Sequence, residues 1–213
     1  KLHNLDHVVL ERAIIGNSWF NQRWDSFRMN TPNKVNELPG MEGYFTEPDG
    51  FCSAIEFGEY LKRYSDNFKL PVIEDCKVLS ISKDPDLNLY FVTISEKGET
   101  KKIKTSQVVI ASGIQNEKII PKFSKTISSD IFQQHSSEYR SPNNLPSGAV
   151  LVVGSGQSGT QIAEDLVESG RDVYISTSKV GRIPRRYRGK DIVEWLITTG
   201  FYNSSIENIT DSK

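Results

Sequence analysis

Residues 150–167 constrain the fold of this chain more than any other stretch. Val150-Leu-Val-Val153 is a short continuous apolar run, which predicts a strand buried on both faces. Gly154, Gly156 and Gly159 follow at the spacing G-x-G-x-x-G. Ile162, Ala163, Leu166 and Val167 then recur at the interval that buries one face of a helix. Gly170 stands where a left-handed residue closes a helix, and Val173-Tyr-Ile-Ser176 reads as a second strand. In such a strand–turn–helix–strand unit each glycine has a physical task. The first makes the tight turn, the second lets a pyrophosphate approach the backbone, and the third lets the helix pack close to the strand. The full context makes a dinucleotide fingerprint of what bare glycines would leave ambiguous.

Two rival uses of these glycines fail on the residues present. A P-loop needs Lys after its last glycine, and Thr160 stands there. A nucleophile elbow needs G-x-S-x-G, and Ser158 is followed at once by Gly159 and Thr160. A structural glycine turn in some other α/β fold stays open. Past the second strand the positions at Ser176 and Thr177 carry no acid to bind a ribose 2′-hydroxyl, while Arg182, Arg185, Arg186 and Arg188 follow. Arginine forks suit a 2′-phosphate, so NADP is favoured over NAD. The same arginines also read as a solvated basic loop.

The rest of the chain bounds the function class. The 213 residues allow one large domain or two small ones. A net charge of −1 gives no electrostatic footprint for nucleic acid. No apolar run reaches the ~20 residues needed to span a bilayer. Cys52 and Cys76 form no C-x-x-C pair, which suits a reducing compartment and a cytoplasmic location. His3, His7 and His135 are scattered, so no zinc cluster and no metal are expected.

In chain order, His7-Val-Val-Leu10 reads as a strand with Glu11 at its C-terminal end. An acid there accepts hydrogen bonds from a ribose in a dinucleotide fold, although alone Glu11 reads first as a solvated strand-end charge. Residues 16–32, rich in Trp, Arg and Asn, read as a structured loop around a ligand or a short irregular helix. Trp19 and Trp24 there suit core filling as well as a ligand. Residues 33–50 read as a long loop. Ser53 to Phe68 reads as an amphipathic helix with Ile55, Tyr60, Leu61, Tyr64 and Phe68 as its stripe. Strands are expected over Lys77–Ser82, Leu89–Glu96 and Lys101–Ala111, the last entering a glycine turn at Gly113. Pro121, Pro142 and Pro146 mark a crossover, inside which His135 suits a structural role. Asp191 to Thr199 reads as a last short helix.

This order resembles the flavoproteins with two dinucleotide-binding domains, and within them the flavin-containing monooxygenase family, including its YUCCA-like bacterial branch. The pieces that carry the resemblance are Val9-Leu-Glu-Arg12, Gly16-Asn-Ser-Trp19, Arg28-Met-Asn-Thr-Pro32, Ile110-Ala-Ser-Gly113, His135-Ser-Ser-Glu-Tyr139 and Gly154-Ser-Gly-Gln-Ser-Gly159. One departure stands out: Ser129 and Ile131 occupy the Phe and Gly positions of the family's F-x-G-x-x-x-H motif.

The resemblance implies an α/β fold of two Rossmann-like domains with an antiparallel β-meander, both incomplete at the chain ends. It places a partial FAD-binding domain over 1–125 and a partial NADP-binding domain over 126–213. In the family the first glycine fingerprint precedes the position of Lys1 and more chain follows that of Lys213, so a fragment is expected. By the same resemblance Glu11 and Arg12 meet the FAD ribose region, and Ser18, Trp19, Asn30 and Thr31 line the flavin side. Val78 meets the adenine through its backbone, and Ala111, Ser112 and Gly113 approach FAD near the crossover. Gly154, Gly156, Gln157, Ser158 and Gly159 cradle the NADP pyrophosphate, with Ser176, Arg182 and Arg185 on the adenosine phosphate. Asn30 is the implied catalytic residue, near the flavin atom that carries oxygen; taken alone it is also a turn residue before Pro32. The implied activity is NADPH-dependent monooxygenation, in which a peroxyflavin transfers one atom of dioxygen to a small organic substrate. The alternatives are an FAD-dependent pyridine-nucleotide oxidoreductase without oxygen insertion, and a nucleotide-binding module without catalysis.

Overall fold

A computed structural model describes residues 5–113, 117–179, 181 and 183–205. In chain order the elements are β1 (Val9–Leu10), α1 (Asn17–Asn21), α2 (Asn33–Asn36), α3 (Ala54–Phe68), β2 (Val72–Ile73), β3 (Cys76–Asp84), β4 (Leu89–Glu96) and β5 (Glu99–Thr105). They continue with β6 (Val150–Val153), α4 (Gln157–Glu168), β7 (Val173–Ser176), β8 (Arg186–Tyr187), β9 (Lys190–Asp191) and α5 (Ile192–Thr198). The chain divides into two compact units. One comprises Lys1–Asp25 with Ala54–Pro146, the other Ser26–Ser53 with Ser147–Lys213.

In the first unit β1 pairs parallel with β2, Val9 opposite Val72. The strand expected from His7 is therefore confined to Val9–Leu10, the two residues that β2 is long enough to match. β3, β4 and β5 form the expected antiparallel meander, and alternation along β4 buries Val92 and Ile94. These two pack with Cys76, and Leu10, Ile73, Ile103 and Val108 close around them. A β-bulge interrupts the register of β3 between Val78 and Ser80. α1 lies against α3 at close range: a Cβ on Gly58 would fall 2.6 Å from the Phe20 ring, so only glycine admits that approach. Tyr60 is the fully buried anchor of α3, whereas Ile55, expected in its apolar stripe, is exposed.

The expected strand through Ala111 is shorter. β5 ends at Thr105, and 106–113 carries no ladder among the described residues. Val108 docks on the meander core, but Val109 and Ile110 stand 87% and 78% exposed. Apolar character alone does not make a strand; a partner must satisfy its backbone.

In the second unit β6 and β7 pair parallel in full register, Val150 opposite Val173 and Val153 opposite Ser176. α4 crosses between them and packs on both. Its Ile162, Ala163 and Leu166 are buried, and Gly170 closes it with φ of 83°. Two expectations need correction. β6 is covered on one face only, leaving Leu151 61% and Val153 55% exposed, and Val167 of α4 is exposed too. Among the described residues the sheet has just these two strands. Residues 26–53 belong to the same unit, and an antiparallel bridge from Arg28 to Ser53 ties their two ends together. Part of the expected long loop, Asn33–Asn36, is the short helix α2. Buried Asn33 organises the rest of that loop: its Nδ2 donates to the Glu47 carbonyl at 2.9 Å and its Oδ1 accepts from the Cys52 N–H at 2.8 Å. Among the described residues no helix is long and apolar enough to cross a membrane.

Candidate functional site

The glycine turn between β6 and α4 has the geometry a dinucleotide requires. Gly154 takes φ of 107°, which turns the chain out of the strand, and its N–H donates to the Ser176 carbonyl at 2.9 Å. A Cβ on Gly159 would lie 2.1 Å from the Gly154 carbonyl oxygen, so the helix packs against the turn at a distance only hydrogen permits. At Gly156 the surroundings reverse: an added Cβ would meet nothing within 4 Å. Gly156 caps α4 without a side-chain hydrogen bond. The N-terminus of a twelve-residue helix thus presents backbone N–H groups at Gln157 and Ser158 to open space, with the positive end of the helix dipole behind them. A pyrophosphate fits this cradle. Ser176, the last residue of β7, is exposed and adjoins Gly154 through that backbone bond.

The arginines behind β7 divide. Arg182 lies outside the described residues. Arg185 is already engaged: its Nε donates to Asp191 Oδ2 at 2.7 Å and its guanidinium stacks over Phe51 at 4.9 Å. Asp191 is itself held, because its other oxygen caps α5 by accepting the Val193 N–H at 2.9 Å. Arg186 and Arg188 sit exposed on the short β8–β9 hairpin.

The first unit carries most of the residues that the resemblance assigns to FAD, and it brings two of them together. The Glu11 carbonyl accepts the Cys76 N–H at 2.9 Å, which sets the end of β1 beside the start of β3, two residues from Val78. The bulge at Val78 interrupts the ladder, the kind of place where a backbone group is available to a ligand. The Glu11 carboxylate is half-buried and accepts the Ala13 N–H at 3.0 Å through Oε1. Arg12 and Ser18 are exposed. Trp19 meets the Phe57 ring edge-on at 4.8 Å, with the Arg23 guanidinium 5.0 Å from its own ring. Ala111, Ser112 and Gly113 lie on the exposed irregular segment after β5.

Asn30 and Thr31 fall in the second unit, with the glycine turn. Thr31 is tied to Asn36, whose Nδ2 donates back to the Thr31 carbonyl at 3.0 Å. Asn30 is half-buried, and its Oδ1 accepts a 2.8 Å hydrogen bond from Nε2 of Gln161 on α4. Gln161 also takes the Arg28 N–H on its Oε1 at 3.3 Å and donates to the Arg28 carbonyl at 3.0 Å. Sequence reasoning misses Gln161, whose only signal is a polar side chain at the margin of the apolar stripe of α4, two positions after Gly159.

His135 has a local structural task. Its Nδ1 pairs with Ser137 Oγ at 2.9 Å, its N–H donates to Glu138, and the turn it closes delivers Tyr139 to Trp24 at 6.4 Å between ring centroids. Glu138 is held below the usual carboxylate range, chiefly by Lys118. Cys52 and Cys76 are both buried and neither is in a disulfide, and burial pushes the Cys76 thiol up. Among the described residues no group of His, Cys, Asp and Glu is arranged to hold a metal.

Comparison with known proteins agrees with this geometry. The family model for pyridine nucleotide-disulphide oxidoreductases matches residues 1–207. An uncharacterized oxidoreductase, CzcO-like, of Geobacillus kaustophilus is 35% identical over 94% of this chain and 56% of its own length. The probable indole-3-pyruvate monooxygenase YUCCA3 of Arabidopsis thaliana is 29% identical over 93% of this chain and 47% of its own. Among solved structures, a flavin-containing monooxygenase from Stenotrophomonas maltophilia superposes with a TM-score of 0.73 at 21% identity, covering 85% of this chain and 53% of that one. The chain therefore spans about half the length of the curated relatives it matches. It belongs to the pyridine nucleotide-disulphide oxidoreductase family and shares the mixed α/β dinucleotide-binding fold of the flavin-containing monooxygenases.

Proposed function

We propose that the chain is the nucleotide-handling part of an FAD- and NADPH-dependent monooxygenase acting on a small organic substrate with dioxygen. The observation that carries this reading is the β6–turn–α4–β7 unit, closed at Gly159 by contact and open at Gly156 to a ligand. FAD, when bound, supplies hydride acceptance from NADPH and activation of dioxygen. Everything else falls to the residues of the chain. The N–H groups at the start of α4 hold the NADP pyrophosphate, and the Ser176 hydroxyl with Arg182 and Arg185 takes the adenosine phosphate. Arg185 can do so through its terminal nitrogens while Asp191 and Phe51 keep its stem in place. Glu11, with Arg12 beside it, accepts a ribose hydroxyl of FAD, a charge-assisted bond worth about 1.5–3 kcal/mol. The Val78 backbone meets the adenine at the bulge, and Ser18, Trp19 and Thr31 line the flavin side. Ala111 to Gly113 approach FAD at the crossover. Asn30 donates a hydrogen bond where oxygen is handled. In this assignment FAD is held mainly from 1–125 and NADP from 126–213.

The family's name favours one alternative, pyridine-nucleotide oxidation without oxygen insertion. A redox dithiol would mark it, but the two cysteines are separately buried and belong to different units. One experiment separates the readings. The purified protein is assayed for flavin absorbance and for NADPH consumption against a panel of amines, sulfides and ketones. Oxygenated product in step with NADPH supports the proposal. NADPH oxidation that yields only hydrogen peroxide with every substrate supports the reductase reading. A colourless protein that still binds NADPH supports a binding module.

A further inference from the structure

We propose that Gln161 is a positioning residue that fixes which end of the Asn30 carboxamide faces outward. The inference rests on the assignment of Asn30 to the oxygen-handling site, and it follows from a chain of hydrogen bonds whose polarity is set by the backbone. An amide side chain can be turned end for end without changing its shape, so its orientation has to come from its partners. The main chain of Arg28 cannot be turned in this way: its N–H only donates and its carbonyl only accepts. Gln161 meets both, with Oε1 on the N–H at 3.3 Å and Nε2 on the carbonyl at 3.0 Å. That pairing fixes Gln161. Its Nε2 is therefore the atom left to face Asn30, and it can only donate. Asn30 must answer with Oδ1, at 2.8 Å. The Nδ2 group of Asn30, with two N–H donors, becomes the end directed away from Gln161, and it has no hydrogen-bond partner among the described residues. The site thus presents a donor. It suits a lone-pair-bearing oxygen on a ligand and disfavours a ligand N–H at the same place.

Gln161→Glu tests the polarity at constant size. A glutamate there accepts from Asn30 whether it is ionised or protonated toward the Arg28 carbonyl, so the Asn30 amide turns over and donates Nδ2–H inward. In ¹⁵N-labelled protein without flavin or nucleotide, the expected result concerns the Asn30 side-chain amide. Its two protons lie at free-amide positions with fast solvent exchange in the wild type and in Gln161→Ala. In Gln161→Glu one of them moves downfield and exchanges at least several-fold more slowly. Identical Asn30 signals in Gln161→Glu and wild type would overturn the proposal, leaving Gln161 as a staple of the Arg28 loop alone. Should either variant fold poorly, the wild type suffices. Slowed exchange at Gln161 Nε2 with fast exchange at Asn30 Nδ2 supports the proposal, and the reverse pattern overturns it. These signals are read without either cofactor, so they succeed or fail separately from the assay of function.

Discussion

Gly156 and Gly159 stand three residues apart in one turn and answer to different constraints. Gly159 is a packing requirement, since any side chain there drives a carbon into the Gly154 carbonyl. Gly159→Ala should cost about 1–3 kcal/mol of stability, because the obstruction is backbone that cannot swing aside; denaturant titration reads it. Gly156 is a ligand requirement only under the proposed function, for it has room for a methyl group and a φ of −72° that alanine adopts freely. Gly156→Ala should leave stability within about 0.5 kcal/mol of wild type while weakening NADPH binding. The spacing of these glycines is legible in the sequence because Gly154 and Gly159 each meet a backbone constraint that a side chain breaks, and Gly156 stands between them at the fingerprint position. Gln161 is not legible. Its importance depends on the Arg28 loop lying against α4, a contact between residues 133 apart that no local pattern encodes.

At the scale of elements, local periodicity locates most helices and strands, and burial is where it goes astray. α4 and β7 fall where the apolar spacing puts them. Yet Leu151, Val153, Val109 and Ile110 are apolar and exposed, because what covers a strand is set by neighbouring elements rather than by its own residues. Residues 26–53 have no periodicity to read; their conformation comes from side-chain bonds to backbone and from non-local backbone pairs such as Met29 N–H on the Cys52 carbonyl and Asn33 N–H on the Gly50 carbonyl. Asn33→Ala removes the acceptor of the Cys52 N–H and one of the two donors to the Glu47 carbonyl, which keeps the Gly50 N–H. It should cost about 1–3 kcal/mol and expose the 47–52 loop to limited proteolysis. Leu166 is fully buried beneath β6 and β7, so Leu166→Ala should lower stability by about 2–5 kcal/mol in the same titration. A change below about 1 kcal/mol would mean that α4 is not seated on the sheet in solution.

For the whole molecule, four lysine-paired carboxylates respond to acid in the same direction. Asp49, Glu96, Glu138 and Glu194 are each held below their ordinary range, first by hydrogen bonds from Lys34, Lys101, Lys118 and Lys190 respectively. Depressed in the folded state, they contribute stability that is present above the unfolded carboxylate range, at about pH 4 and up. It is lost as pH falls through the folded values, because the unfolded chain then binds more protons. Each pair has a well-exposed lysine, with Glu96 and Glu194 half-buried and Asp49 and Glu138 exposed, so the contribution is small and shrinks with salt. The thermal midpoint should therefore drop between about pH 6 and roughly pH 3, and the drop should shrink at high ionic strength. Cys76 acts at the other end. Its raised thiol contributes below the ordinary thiol range and is lost as pH rises through it, at about pH 8.5 and above.

The proposed function depends most on α4 presenting its N-terminus to a pyridine nucleotide. Titration of the purified chain with NADPH, followed by nucleotide fluorescence or calorimetry, tests this directly when wild type and Gly156→Ala are compared at matched stability. Saturable binding by the wild type, weakened about tenfold, or ~1.4 kcal/mol, in the variant is the expected result. Equal affinity in the two proteins, or no binding by a folded wild type, would contradict it.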